Sequence, residues 1–205
     1  MKKFFVAPAA LVLTASLLAG CASLLGDIDV GTNALPINQS VALTFPAAAS
    51  AANLKAQAVA TVSAVKEVTK EFDDIDGSKI PATIAKVIQD LGITSVALSG
   101  CANSPTSIAV TIKELSAKVT DASTKSLAGK VSGSFTATKT ATGYDVSNVV
   151  LTLPLVLTGD GSVLTTGGKN TLTVKLDASA TSDPSLATCT LTITLKGGTT
   201  KVGLQ

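Results

Sequence analysis

NTLTVKLD (Asn170–Asp177) and ATCTLTITLK (Ala187–Lys196) alternate apolar and polar residues without a break. Leu172, Val174 and Leu176 fall on one side of the first stretch. Cys189, Leu191, Ile193 and Leu195 fall on one side of the second. A period of two marks a strand with one face buried. The same reading extends backwards to Ser107–Thr120, with Ile108, Val110 and Ile112 on one side, and to Ile93–Leu98 and Gln39–Phe45. In Leu127–Thr138, Gly129 and Gly133 mark a bend or bulge, and in Tyr144–Leu157, Pro154 marks an edge or bulge. Asp160-Gly161 reads as a hairpin-type turn. Short strands at regular spacing, separated by Gly, Asn, Asp and Ser, predict a mainly β domain. Its class is an antiparallel β-sandwich or partly open barrel.

Two segments upstream are less regular. In Ala56–Phe72, Val62, Val65 and Val68 fit a helical face, while Val59, Thr61, Ser63 and Val65 alternate as in a strand. Ala and Lys favour the helix, Val and Thr the strand, and we take the strand. After the turn at Asp73–Ser78 the spacing predicts one short amphipathic helix. Ser78 caps it, Pro81 fits its first turn and Gly92 stops it. Its packing face is Ile80, Ile84, Val87, Ile88 and Leu91. Core packing of that helix on the sheet is the plain expectation. A looser lid would instead open a lipid-sized cavity beneath it.

Composition removes much chemistry. The 205 residues contain no His and no Trp, and all 16 basic residues are Lys. No His means no imidazole base, triad or metal ligand, and no Arg means no bidentate phosphate clamp. At 46% hydrophobic and 15% charged, the chain is too apolar for intrinsic disorder.

The N-terminus carries the strongest functional signal. Lys2 and Lys3 precede an apolar run, Phe4–Leu18, and then Leu18-Ala19-Gly20-Cys21. A secretory peptide ends at small residues, and here a Cys follows them directly. The segment resembles the lipobox signal of bacterial lipoproteins. That resemblance covers residues 1–21 only. It implies a diacylglyceryl group on the Cys21 thiol, cleavage between Gly20 and Cys21, and frequent acylation of the new amine. Position 22 is Ala rather than Asp, which by analogy with lipoprotein sorting favours the outer membrane in a two-membrane host. Residues 1–20 are thus read as signal, 21–36 as a flexible tether and 37–205 as one β-rich domain. Cleavage removes Lys2 and Lys3, which brings the basic residues level with the 14 acidic ones. No electrostatic case for nucleic acid survives.

With Cys21 lipidated, Cys101 and Cys189 remain, and an exported compartment permits their disulfide. Asp73, Asp74 and Asp76 form a weak metal candidate for Ca²⁺. The EF-hand pattern fails there: with Asp76 fifth, Phe72 falls first and Thr83 twelfth. Carboxylates before a helix also favour its N-terminus without any metal. Ser63-Ala64-Val65-Lys66 matches the S-x-x-K of penicillin-recognising serine enzymes, but it sits in a strand and lacks the S-D-N partner. Neither Gly167-Gly168-Lys169 nor Gly129-Lys130 has P-loop spacing.

The expectation is a lipid-anchored envelope or surface protein with a structural or binding role, not an enzyme. It needs no cofactor. Its partners are the membrane, through the anchor, and an envelope protein or polymer. The alternative is a carrier of an apolar, lipid-like ligand.

Overall fold

In the computed structural model the alternating stretches are strands of one antiparallel sheet. Residues 26–32, 34–46, 60–75, 80, 83–101, 104–151, 154–165 and 168–204 are described. In chain order the strands are β1 (Ile28–Thr32), β2 (Ser40–Thr44), β3 (Ala60–Asp73), β4 (Ile84–Ser99) and β5 (Ser107–Thr120). They continue with β6 (Ser126–Lys139), β7 (Tyr144–Leu151), β8 (Leu155–Gly159), β9 (Lys169–Ser182) and β10 (Thr190–Leu204).

The sheet order is β1-β10-β4-β7-β6-β5-β9-β3. β2 continues the line of β1 along β10, pairing with Thr190–Thr194 while β1 pairs with Thr199–Val202. β8 likewise continues β7 in the slot between β4 and β6. β9 is the most regular strand: Asn170, Leu172, Val174, Leu176, Ala178, Ala180 and Ser182 are buried and the residues between them are not. β5 buries Ile108, Val110, Ile112, Leu115, Ala117 and Val119, with a bulge after Ile112 that keeps the face aligned. Apolar side chains on one face of nearly every strand join in one core cluster. A flat sheet would leave that face wet, so the sheet curls on itself, as in a sandwich or partly open barrel. β2 packs beside β3 without forming a ladder with it. A seam therefore separates β3 from the β1–β2 line.

Except where β2 continues β1 and β8 continues β7, strand ends lie at one of two rims. At one lie Ile28, Ile84, Ser126, Gly159, Lys169, Asp73 and Leu204. At the other lie Thr44, Ser99, Ser107, Tyr144 and Thr190.

Three sequence expectations are corrected. The predicted helix is β4 from Ile84 onward; Ser78 and Pro81 lie outside the described residues. β4 pairs with β10 along its length, but Ala85 and Thr94 are extra residues in that ladder. A bulge turns a step of two into a step of three, so the one at Ala85 separates Ile84 from Val87 by three; with Leu91 two ordinary steps on, past buried Gln89, these residues mimic a helical stripe. Ile88 lies on the opposite face to Val87, half-buried between Lys201 and Val156. Second, the sheet reaches into the stretch read as tether: β1 begins at Ile28, and Leu35 is fully buried. Third, Asp160-Gly161 is not a hairpin. Asp160 caps a 3₁₀ turn, Gly161–Leu164, that buries Val163 and Leu164. The stretch Ala56–Phe72 is a strand where described, and Tyr144–Leu157 is broken around Pro154 into β7 and β8.

Candidate functional site

Cys21, the residue with the sharpest functional signal, lies outside the described residues, as does the whole signal segment. No helix among the described residues is long and apolar enough to cross a membrane.

Cys101 and Cys189 are joined, with Cα atoms 4.8 Å apart. Cys101 lies just beyond the end of β4 and Cys189 just before β10, next to the paired Ser99 and Thr190. The bond closes the end of an existing ladder. Cys189 is buried and its backbone carbonyl accepts from Phe45 N, which brings the end of β2 to the same corner.

The acidic cluster serves the end of the β3–β9 ladder. Asp73 Oδ1 is 3.0 Å from Lys169 Nζ, directly across the strands. Asp74 Oδ1 accepts from Nδ2 of buried Asn170 at 2.6 Å. Asp73 also raises the Lys169 pKa, mainly by accepting its hydrogen bond. Asp76 lies outside the described residues. No group of three or more His, Cys, Asp or Glu with metal-binding geometry occurs among the described residues.

Ser63 and Lys66 stand three apart on β3, so the strand period sends them to opposite faces. Ser63 Oγ instead accepts from Lys113 Nζ at 3.4 Å. The S-x-x-K match therefore brings no nucleophile and base together.

Two surface clefts follow from bulges. One, of about 400 Å³, lies where β2, β10 and β4 meet and is lined by Asn38, Gln39, Ser40, Thr94, Thr194 and their neighbours. The other, of about 230 Å³, lies at the β5 bulge among Lys113, Glu114, Lys130, Val131 and Ser132. There Lys130 Nζ is 3.8 Å from Glu114 Oε2. Both are open to solvent, and most of the residues that line them carry polar side chains. Outward hydroxyls pair across strands: Ser40 with Thr194 at 3.0 Å, Thr44 with Thr190 at 3.1 Å, and Thr61 with Thr181 at 2.8 Å. Such pairs, with the β-propensity of Thr, give the outward Ser and Thr of these strands a structural role.

Sequence reading missed the buried polar group at the β10 bulge. Gln89 projects inward among apolar neighbours, and its Nε2 donates to Asp90 O at 2.9 Å and Gly198 O at 3.1 Å. No local pattern marks it, because an isolated Gln between Ile88 and Asp90 reads as surface. At the Ile28 rim, Asp160 is exposed. Its pKa is lowered by hydrogen bonds from Ser162, first the hydroxyl and then the backbone N–H.

Against known proteins, the chain matches no protein-family profile, no curated protein and no solved structure.

Proposed function

We propose that the protein is a lipid-anchored component of a bacterial cell envelope with a structural or binding role rather than a catalytic one. The carrying observation is Leu18-Ala19-Gly20-Cys21 after a Lys-led apolar run. Two or three acyl chains hold a protein stably at a bilayer, whereas one holds it reversibly. The position of β1 gives this reading a geometry. Ile28 is seven residues beyond Cys21, and a fully extended chain of that length spans about 25 Å. An acylated Cys21 therefore keeps the Ile28 rim near the lipid headgroups. The rim carrying Tyr144 and the Cys101–Cys189 bond is then the end farther from the anchor. In a host with two membranes, Ala22 favours the outer one.

The clefts at the bulges are open rather than enclosed, which suits an envelope protein or polymer better than an acyl chain, since that calls for an enclosed apolar cavity. We therefore place the lipid-carrier reading second.

The test is Cys21→Ser in the native host, with membrane fractionation and intact-mass analysis. The wild type is expected with the membranes and with acyl mass on Cys21; the variant is expected in the soluble fraction and unacylated. An unmodified Cys21 together with unchanged partition of the variant overturns the proposal. Crosslinking in intact cells then identifies the partner.

A further inference from the structure

β3 is the longest unpaired edge in the sheet. Its 14 residues pair with β9 on one side and form no ladder on the other among the described residues. Such an edge is a template for another strand. The residues along it oppose that use.

Lys66 lies opposite Leu176, and Lys70 opposite Leu172. Opposite residues in an antiparallel ladder share a face, and both leucines are fully buried. The two lysines therefore occupy core-face positions, yet both are exposed. Their neighbours on that face, Val62, Val68 and Phe72, pack against the core. A strand added beyond β3 would continue the inner face over Lys66 and Lys70 and strip water from both ammonium groups.

The edge also opposes a second copy of itself. In a symmetric antiparallel pair of β3 strands the twofold axis is perpendicular to the sheet, so each residue meets one of its own face. Centring the pair on Lys66, Glu67, Lys70 or Glu71 sets that residue against itself. Centring it on Val68 sets Lys66 against Lys70, and centring it on Thr69 sets Glu67 against Glu71. Like charges directly opposed destabilise a strand pair. Registers shifted further toward Ala60 run into β2, which packs beside β3.

We infer that Lys66 and Lys70 are edge guards that keep β3 from pairing with β3 of a second copy of this chain. This inference is independent of the lipid anchor. The experiment compares the purified wild-type chain with Lys66→Val/Lys70→Val, under identical buffer or detergent, by size exclusion with light scattering. The control is Lys118→Val/Lys175→Val, which removes two charges from the outer face of interior strands β5 and β9. The edge variant is expected to shift to dimers and larger species, with at least a tenfold rise in associated fraction at equal concentration, while wild type and control stay matched. Lys66→Glu/Lys70→Glu keeps charge at the edge and is expected to behave as wild type. If the double valine variant does not fold by circular dichroism, Lys66→Thr and Lys70→Thr are scored in the same way. Hydrogen exchange on the wild type supplies a second reading: alternate β3 amides should exchange fast. Uniform protection along β3, or a folded edge variant no more associated than the control, overturns the inference.

Discussion

Gln89 of β4 and Thr200 of β10 are both fully buried, and the Thr200 hydroxyl donates to Gln89 Oε1 at 2.6 Å. The same Thr200 oxygen accepts from Ala34 N at 3.1 Å, and Gly197 N donates to Asn38 Oδ1 at 2.6 Å. The β10 ladder skips from Gly197 to Thr200 in this region, which frees backbone groups from ordinary pairing. Gln89, held by Thr200, satisfies the Gly198 carbonyl from inside the core, and Asn38 satisfies the Gly197 N–H from the edge. Gln89→Leu keeps the volume but leaves the Gly198 carbonyl and the Thr200 hydroxyl short of partners. Unsatisfied buried groups cost about 1–3 kcal/mol each. We expect a loss of about 2–4 kcal/mol in denaturant unfolding on that basis, and a smaller loss for Thr200→Ser, which keeps the hydroxyl. Equal stability of Gln89→Leu and wild type would show that the bulge does not depend on this pair.

Glycines in different surroundings predict unequal costs for the same substitution. A Cβ on Gly129 would sit 2.1 Å from the backbone oxygen of Val156, and one on Gly133 would sit 2.2 Å from that of Val150. Neither oxygen can move without shifting β7 or β8. A Cβ on Gly203 would meet the Cε of Lys86 at 2.3 Å, the far end of a flexible side chain. Lys86 crosses Gly203 to reach Asp27, with Nζ 3.3 Å from Oδ1, and both side chains are over a third exposed. Gly203→Ala is therefore expected to displace an exposed ion pair worth about 0.2–1 kcal/mol. Gly129→Ala is expected to cost about 1–3 kcal/mol through overpacking. Thermal unfolding of the two variants should rank them in that order.

These glycines also show what the sequence made legible. Gly129 and Gly133 read as places where the strand could bend, and the structure shows the backbone approach behind them. β5 was predicted with the bounds it has, because Ile108, Val110 and Ile112 alternate before its bulge interrupts the pattern. β4 was misread because its bulge at Ala85 falls inside the apolar stripe and sets Ile84 three residues before Val87. Periodicity sees only spacing, and a bulged strand can share spacing with a helix over ten residues or so. β1 escaped notice for a different reason. It is short, it contains Gly31 at φ +111°, and its pairing partner on β10 is far away in sequence. The inward Gln89 was invisible because its partners, Gly198 and Thr200, meet it only through the fold. The disulfide needed no geometry to predict, since two cysteines remain once Cys21 is set aside.

That disulfide links positions 88 residues apart. The chain-entropy account gives on the order of 4–5 kcal/mol for a loop of this size, as an upper value. Its place at the end of the β4–β10 ladder means that the bond also holds the ends of these strands together. We expect Cys101→Ser/Cys189→Ser, or reduction, to lower unfolding free energy by about 2–5 kcal/mol. Free-thiol titration under denaturing conditions checks that the pair is oxidised beforehand. A variant as stable as the oxidised wild type would mean that the ladder alone fixes this corner.

Tyr144 supplies a pH test with its own reporter, because it is the only tyrosine and there is no tryptophan. Its hydroxyl donates to the buried Pro105 carbonyl at 2.7 Å. Burial raises its pKa above the ordinary 10.0, and a side-chain hydrogen bond with Ser104 works in the opposite direction without cancelling the rise. The neutral phenol is thus the form the fold prefers. Below about pH 10 both folded and unfolded chains hold the proton, and the group adds no pH dependence. Above that the unfolded chain releases it first, so stability falls as pH rises toward the folded-state pKa. Tyrosinate absorbance should titrate at higher pH in the native protein than after denaturation. The alkaline loss of stability should be smaller in Tyr144→Phe than in wild type. A native titration that overlays the denatured one would mean that the phenol is solvated and that its bond to Pro105 does not hold that residue against β7.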